Sequence, residues 1–357
     1  MAGRLESLSL SEAPDAPESN VPFDIIEATQ KSADLYHSGA KLYVGGDLER
    51  VEHELCHYQN TPFFTIRRID GSRVSVKNPM YGVSRPMWKP YIRFHHYWHM
   101  VRGSSVNWYS FPPCYSYCVG WGDLADEQFT ESAQIPLGRK FEEVRKQWDR
   151  SLAHDWLASK LKKLQGARRI TKILCFGLGN MSRLLFSDMR GSTYDSGREE
   201  RSQLHCMTQH AVALNLVDIF KSATTDVKLF VQDPNYNKAS KTVLESAGIT
   251  IVGECGAGGF SMIDDETLVF FCCPSAPVMQ IVADVGRPAM IIADGDRSDV
   301  INGIDSIPYQ MDAESPRTRE MMEEYTPYDL EDKDEMISFN KMKIYVRDEE
   351  VRSMGAN

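Results

Sequence analysis

The segment Ile173–Arg183, ILCFGLGNMSR, is an apolar run that breaks into Gly177-Leu178-Gly179 and then presents Asn180 and Ser182. A turn of this kind can cradle a phosphate on backbone N–H groups, carry a hydroxyl nucleophile, or simply reverse the chain. It matches the dinucleotide fingerprint Gly-x-Gly-x-x-Gly only in part, because the third glycine is absent. The strand-end acid expected about 20 residues later is also missing; Asp233 is the nearest and lies much further on. A nicotinamide site is therefore not expected, whereas a methyltransferase-like site tolerates looser glycine patterns. A second constellation, His53-Glu54-Leu55-Cys56-His57, has the His-Glu-x-x-His spacing that puts two imidazoles on one helix face with a glutamate between them. Zinc needs a further ligand. His95, His96 and His99 are available but nothing in the spacing selects them, so the expectation is a surface helix with two histidines and no metal. Cys114-x-x-x-Cys118 has no second pair at zinc-finger spacing, and Cys273-Pro274 reads as a small apolar thiol before a loop proline.

The elements that must position these groups alternate. KILCFGLG, VKLFVQDP, TIVGE, TLVFFCCP and AMIIADG read as strands. Leu204, Met207, Ala211, Leu214 and Val217 mark one helix face, KASKTVLESAG is a helix closed by Gly248, and PVMQIVADV is a short helix. Unbroken apolar strands alternating with helices predict an α/β protein: a Rossmann-like three-layer sandwich with a mainly parallel sheet. Ligands in such sheets sit beyond the carboxyl ends of the strands. Those ends carry Gly177, Gly179, Asn180, Ser182, Asp233, Glu254, Ser275 and Asp294. Upstream, Phe141, Val144, Trp148 and Leu152 share helical spacing, and the stripe then jumps to Trp156, Leu157, Leu161 and Leu164, which predicts a kink.

With 357 residues, 42% of them hydrophobic, the chain can bury a sizeable core. The expected division is a disordered Ser/Pro/acid-rich tail over 1–20, an aromatic-rich N-terminal subdomain over 21–135 that stands alone or packs onto the main one, the sandwich over 136–310, and an acidic segment with a final strand over 311–357. Eight cysteines are too few for a disulfide framework. No signal-peptide core and no membrane-length apolar run is present, so a reducing, cytoplasmic setting is expected. The net charge of −10 argues against non-specific nucleic-acid binding by the whole surface, DNA included. Yet Arg139–Lys172 holds eleven basic residues against four acids.

From Lys172 onward the order KILCFGLGNMS, Gln203-Leu204, QDPNY, LESAGITIV and DDETLVFFCCPSAPV resembles the "sensitivity to red light reduced" domain family, over roughly Arg139 to Asp294. The long loop after Ser182, together with GECGAGGF and SPRTREMMEEY, is similar to its fungal branch. Plant and animal members are regarded as regulators of the circadian clock or of haem metabolism. The fungal branch is associated with arginine-containing cyclodipeptide synthases, which condense arginyl-tRNA with a second aminoacyl-tRNA.

That resemblance implies an enzyme in secondary metabolism needing no ATP, metal or other cofactor, with two aminoacyl-tRNAs as its partners. It implies a site at the glycine turn: backbone N–H groups over Gly177–Asn180 for an oxyanion, with Ser182 either an acyl acceptor or a helix cap. A guanidinium needs a carboxylate. Glu254 and Asp233 lie at strand ends, while Asp264, Asp265 and Glu266 form a more conspicuous triplet at a strand entry; acids crowded in a cleft could also act as the catalytic base. Tyr236 and Ser275 are further candidates for substrate contact. Arg145, Lys160, Lys162, Lys163, Arg168 and Arg169 are the candidates for tRNA phosphates. Two alternatives remain. A regulatory domain would present a partner-binding aromatic surface over Tyr91–Trp121. An S-adenosylmethionine-dependent transferase would hold adenosine beside Gly177–Gly179 with Asp233 on the ribose.

Overall fold

The computed structural model describes residues 25–101, 115–124, 134–165, 168–182, 196–221, 226–272, 274–294, 312–330 and 342–348. Two helices, α1 (Ile25–His37) and α2 (Gly45–Cys56), precede a hairpin of β1 (Phe63–Arg67) and β2 (Arg73–Lys77). Its Asp70-Gly71 corner is chemically specified: Gly71 takes φ +85°, and Asp70 accepts both Ser72 N–H and its hydroxyl. β3 (Trp88–Phe94) leads through α3 (Tyr97–Val101) to β4 (Tyr117–Asp123), its antiparallel partner.

The basic segment forms α4 (Gln134–Trp148) and α5 (Leu152–Leu164). The kink implied by the sequence falls between them, where the Ser151 hydroxyl accepts His154 N–H and caps α5. Phe141, Val144 and Trp148, then Leu157 and Leu161, are buried. Leu152 is 61% exposed, because the break rotates it off the stripe.

The remainder builds the sheet: β5 (Lys172–Phe176), α6 (Ser196–Lys221), β6 (Lys228–Gln232), α7 (Lys238–Ser246), β7 (Thr250–Ile251), β8 (Thr267–Phe271), α8 (Val278–Val285), β9 (Met290–Asp294), α9 (Pro316–Met322), β10 (Tyr325–Asp329) and β11 (Met342–Arg347). The spatial order is β10-β11-β9-β8-β5-β6-β7. β5 to β9 run parallel, and β11 pairs antiparallel with both β9 and β10. The protein is thus a mixed α/β molecule with a seven-stranded, mostly parallel sheet.

Strand residues alternate between two cores, as the period of two demands. Ile173, Cys175, Leu268, Phe270, Met290 and Ile292 face a layer made by α4, α5, α6 and α7. Leu174, Phe176, Val269, Phe271, Ile291 and Ala293 face the other way, onto Tyr43, Leu48, Val51 and Leu55, Phe64, Phe94 and α8. The N-terminal residues, together with α8, therefore cover this face of the sheet. Among the described residues of the aromatic stretch, Phe94, Tyr97 and Tyr117 are buried in this core. α6 departs from the single apolar face expected of it. His210, Ala211, Val212, Ala213, Asn215 and Leu216 are consecutive or nearly so and all buried, because α4, α5 and the sheet enclose the helix.

One buried ion pair joins this second layer to the sheet. Asp284 on α8 pairs with Arg317 on α9 and accepts Leu42 N–H and Tyr43 N–H at 2.7 and 3.0 Å. The motif SPRTREMMEEY is explained by this region: Ser315 and Thr318 form a capping box, Pro316 opens α9, and Arg317 reaches Asp284. Among the described residues no helix is long and apolar enough to cross a membrane.

Candidate functional site

β5 is central, and the chain leaves it first toward β6 and later returns on its other side as β8. The loops after β5 and β8 therefore part at the carboxyl edge, where parallel sheets place their ligands. They lie close: a Cβ on Gly177 would sit 3.3 Å from Pro274. Gly177 and Gly179 have φ of +65° and +82°, a region that favours glycine. A side chain on Gly179 would also collide with Cys206 Sγ of α6. The glycines thus let a helix and a loop close onto the turn.

Their N–H groups are engaged within the protein. Gly177 N–H donates to Gln232 O at 3.0 Å, and Gly179 N–H to Asp233 Oδ2 at 2.9 Å. The oxyanion donors expected at these two positions are therefore not free. Asp233 is 7% exposed and also accepts Asn235 N–H. Burial pushes its carboxyl up, against the downward pull of those N–H groups.

Beyond the turn lies a cluster of hydroxyls and amides. Asn180 donates through Nδ2 to Asn235 O at 2.6 Å. Its Oδ1 accepts Ser240 Oγ at 2.6 Å and both Ser182 N–H and Ser182 Oγ at 3.1 Å. Ser182 Oγ also approaches Asn237 Oδ1 at 2.7 Å, and Asn237 Oδ1 caps α7 by accepting Ser240 N–H. Ser182 therefore shares the cap of α7. Its hydroxyl partners among the described residues are amides and the Ser240 hydroxyl; none is a general base. Gln203 of α6 ties the turn down by donating to Met181 O, and Lys140 of α4 donates to Gln203 Oε1, each at 2.7 Å.

Tyr236 stands behind the site. It is 2% exposed and its hydroxyl lies 2.7 Å from His210 Nε2. His210 Nδ1 faces Cys206 O, which can only accept, so Nδ1 carries the proton and Nε2 accepts from Tyr236. Burial pushes the His210 pKa down to about 4, consistent with a neutral ring. Ser275 is exposed on the loop after β8.

Glu254, after β7, is exposed at the same edge and pairs with Lys241 at 3.0 Å and Lys89 at 4.0 Å. Partial burial raises its pKa, but the two lysines outweigh this and the net shift is down. The triplet lies elsewhere. Asp264, Asp265 and Glu266 enter β8 at the amino edge, a five-residue strand or about 17 Å away. There Asp264 pairs with Lys172 and Glu266 with Arg169. A solvent-open cavity of about 390 Å³ adjoins them, lined by Arg169, Lys172, Lys228 and Asp226 among others.

The basic residues are divided likewise. Arg168 donates to Arg347 O, so it joins Arg169 at the amino edge. Lys160 lies over the Trp156 and Tyr328 rings, at 5.8 and 5.3 Å. Lys162 and Lys163 are exposed, and Arg145 is half-buried on α4. His53 and His57 stack on the surface, 4.3 Å apart, while Glu54 turns inward to accept Thr65 N–H. Asp294 ends β9, and Cys114, Cys273 and the loop 183–195 lie outside the described residues. Asn237 and Ser240, which the motif reading passes over, carry the Asn-x-x-Ser signal of a helix start; His210 and Lys140 carry none.

The chain is thus a mixed α/β protein whose mostly parallel sheet carries a polar cluster at its carboxyl edge. The profile of the SRR1 domain matches residues 157–346 of the 357, and the chain belongs to the SRR1 domain family. This is the family that the motif order resembles, and the match runs on through β10 and β11. No curated protein and no solved structure is significantly similar to the chain.

Proposed function

We propose that the protein is a tRNA-dependent cyclodipeptide synthase of the fungal branch, built on a Rossmann-like sandwich, that joins arginyl-tRNA to a second aminoacyl-tRNA. The observation that carries the reading is the Asn180–Ser182–Asn237–Ser240 cluster, assembled where the loops of β5, β6 and β8 meet. The parallel strand order, with β5 flanked by β6 and β8, is that of nucleotide-binding doubly wound folds. GECGAGGF and SPRTREMMEEY support the fungal assignment.

An aminoacyl ester is already activated. The α-amine of one residue attacks the ester carbonyl of the other; the C–N bond forms and the ester C–O bond to the tRNA ribose breaks. The free α-amine of the resulting dipeptidyl ester then attacks the remaining ester carbonyl; the second C–N bond closes the ring, the remaining ester C–O bond breaks, and the second tRNA leaves with its ribose hydroxyl. What the protein must supply is alignment and a donor for the developing oxyanion. The Ser182 hydroxyl fills the donor role, since it can swing from an amide oxygen to the substrate. As an acyl acceptor it would attack the ester carbonyl itself: the Ser182 Oγ–C bond forms, the ester C–O bond to the ribose breaks, and the ribose oxygen leaves with the serine proton. Glu254 is the better guanidinium partner than Asp233, because it is 53% exposed at the side chain while Asp233 is buried holding the turn. Lys140 and the exposed Lys162 and Lys163 contact tRNA phosphates.

A second reading, an S-adenosylmethionine-dependent transferase, draws support from the sheet order, with a reversed strand between β9 and β10. It is disfavoured by the Asp233 carboxylate, which is turned onto Gly179 and Asn235, and by Cys206, which fills the space against Gly179.

The test is expression in a heterologous microbe with mass spectrometry of the medium, then reconstitution with aminoacyl-tRNAs. A new arginine-containing diketopiperazine whose formation stops with ribonuclease supports the reading and names the second amino acid. Folded protein that makes no product from charged tRNAs sinks it, and methyl transfer from S-adenosylmethionine would replace it.

A further inference from the structure

The GECGAGGF loop after β7 wraps its backbone around a side chain of the N-terminal layer. Glu52 of α2 accepts Cys255 N–H and Ala257 N–H at 2.8 Å and Gly258 N–H at 3.2 Å. Gln232 clamps the same loop, donating to Gly256 O and accepting Gly259 N–H, and β3 adds Ile92 N–H to Cys255 O. This scaffolding brings together two thiols that are 199 positions apart in sequence. Cys56, the exposed last residue of α2, has its Sγ 3.3 Å from the Sγ of buried Cys255 and 3.3 Å from Glu52 Oε1. The other described cysteines are placed differently: Cys118 faces His95, Cys175 is buried in β5, Cys206 packs on Gly179, and Cys272 meets Met342.

We propose that Cys56 and Cys255 are a site of oxidative modification, which a peroxide closes into a disulfide that staples α2 to the carboxyl edge of the sheet. Cys56 is the thiol that solvent reaches. Its thiolate attacks a peroxide oxygen: an S–O bond forms, the O–O bond breaks, and the leaving hydroxide takes a proton to become water. Cys56 is then a sulfenic acid beside Cys255. The Cys255 sulfur attacks the Cys56 sulfur; the S–S bond forms, the S–O bond breaks, and the hydroxyl leaves as water with the Cys255 proton. Two thiols lose two electrons and two protons, and one hydrogen peroxide becomes two waters. Contact with Cys56, together with burial, pushes the Cys255 thiol up, so it waits as a thiol until its neighbour is oxidised. Glu52, Cys56 and Cys255 also lie close enough to hold a metal ion. The disulfide is the better fit, because both Glu52 oxygens already hold backbone N–H groups while bond formation needs only the two sulfurs. The bond would fix the loop that carries Glu254 and whose Gly256 packs on Pro234, next to Asp233.

The experiment treats the reduced full-length protein with hydrogen peroxide, blocks the remaining thiols by alkylation and maps peptides by mass spectrometry. The expected result is a Cys56–Cys255 cross-linked peptide, a loss of two thiols per chain, and a melting temperature raised by about 5 °C, all reversed by dithiothreitol. Cys56→Ser should abolish both the cross-link and the shift. In Cys255→Ser, Cys56 should stop at a sulfenic acid that dimedone traps. Should that buried substitution unfold the chain, the exposed Cys56→Ser carries the test alone. Cys56 driven to sulfinic acid while Cys255 still alkylates, or a different pairing, overturns the proposal. So does one equivalent of zinc that purifies with the wild type and is lost in Cys56→Ser, which would make this a metal centre.

Discussion

Ser182 illustrates how a single side chain is set by neighbours far away in sequence. Its hydroxyl faces Asn180 and Asn237, 2 and 55 positions distant, and among the described residues no base polarises it. If it donates to the oxyanion, Ser182→Ala should lower kcat by about 10²-fold with little change in KM, and the variant should stay folded by circular dichroism. Ser182→Cys separates the two roles, since a thiol still accepts an acyl group but is a poor donor. An acyl adduct on the introduced thiol, detected by intact mass, would favour covalent transfer. The sequence made Ser182 visible because it follows a glycine turn at a strand end. It could not show that the turn's own N–H groups are engaged by Gln232 and Asp233, because those partners arrive through strand pairing.

At the scale of elements, the parallel strands and the alternating helices were legible from apolar runs, since burial on both faces leaves an unbroken signature. Two things were not. α6 lacks a single apolar face because it is enclosed, and the N-terminal aromatic region left open whether it stands as a small subdomain or packs onto the main one; it packs on the sheet as a second layer. Asp284 holds that layer in place. Asp284→Ala should leave Arg317 and two backbone N–H groups without their buried acceptor, costing about 3–5 kcal/mol in urea unfolding. The basic helices also divide by position. Lys160 is stacked on aromatic rings, whereas Lys162 and Lys163 are exposed. Reversing Lys162 and Lys163 to Glu should weaken tRNA binding and flatten its salt dependence by about 0.7–0.9 per lost phosphate contact. An unchanged slope in filter binding would remove α5 from the docking surface.

For the molecule as a whole, three histidines shielded from water, His96 and His210 buried and His95 partly so, predict how stability follows pH. Burial pushes His95 and His210 down to about 4 and His96 to about 3. Their ordinary value is about 6.5, so below that pH the unfolded chain takes up protons that the folded chain refuses. Stability is fully present above about pH 6.5 and falls as the pH drops toward about 4. The steepest loss is up to about 4 kcal/mol per pH unit if all three titrate in the unfolded state. Melting temperatures measured from pH 7.5 to pH 5 should fall accordingly, and His210→Gln should flatten the curve.

The family match begins at residue 157, yet Leu174, Phe176, Val269 and Phe271 rest on residues contributed before position 100. Homology and foldability therefore draw different borders on this chain. A gene fragment encoding only 157–346 would expose one apolar side of the central sheet to water, together with Asp284 stripped of its Leu42 and Tyr43 contacts. Such a fragment is expected to precipitate or bind a hydrophobic dye, whereas one starting near residue 25 should stay monodisperse. The family-matched part of the chain therefore rests on a platform outside the match, and its fold depends on an apolar underside supplied by residues that precede it.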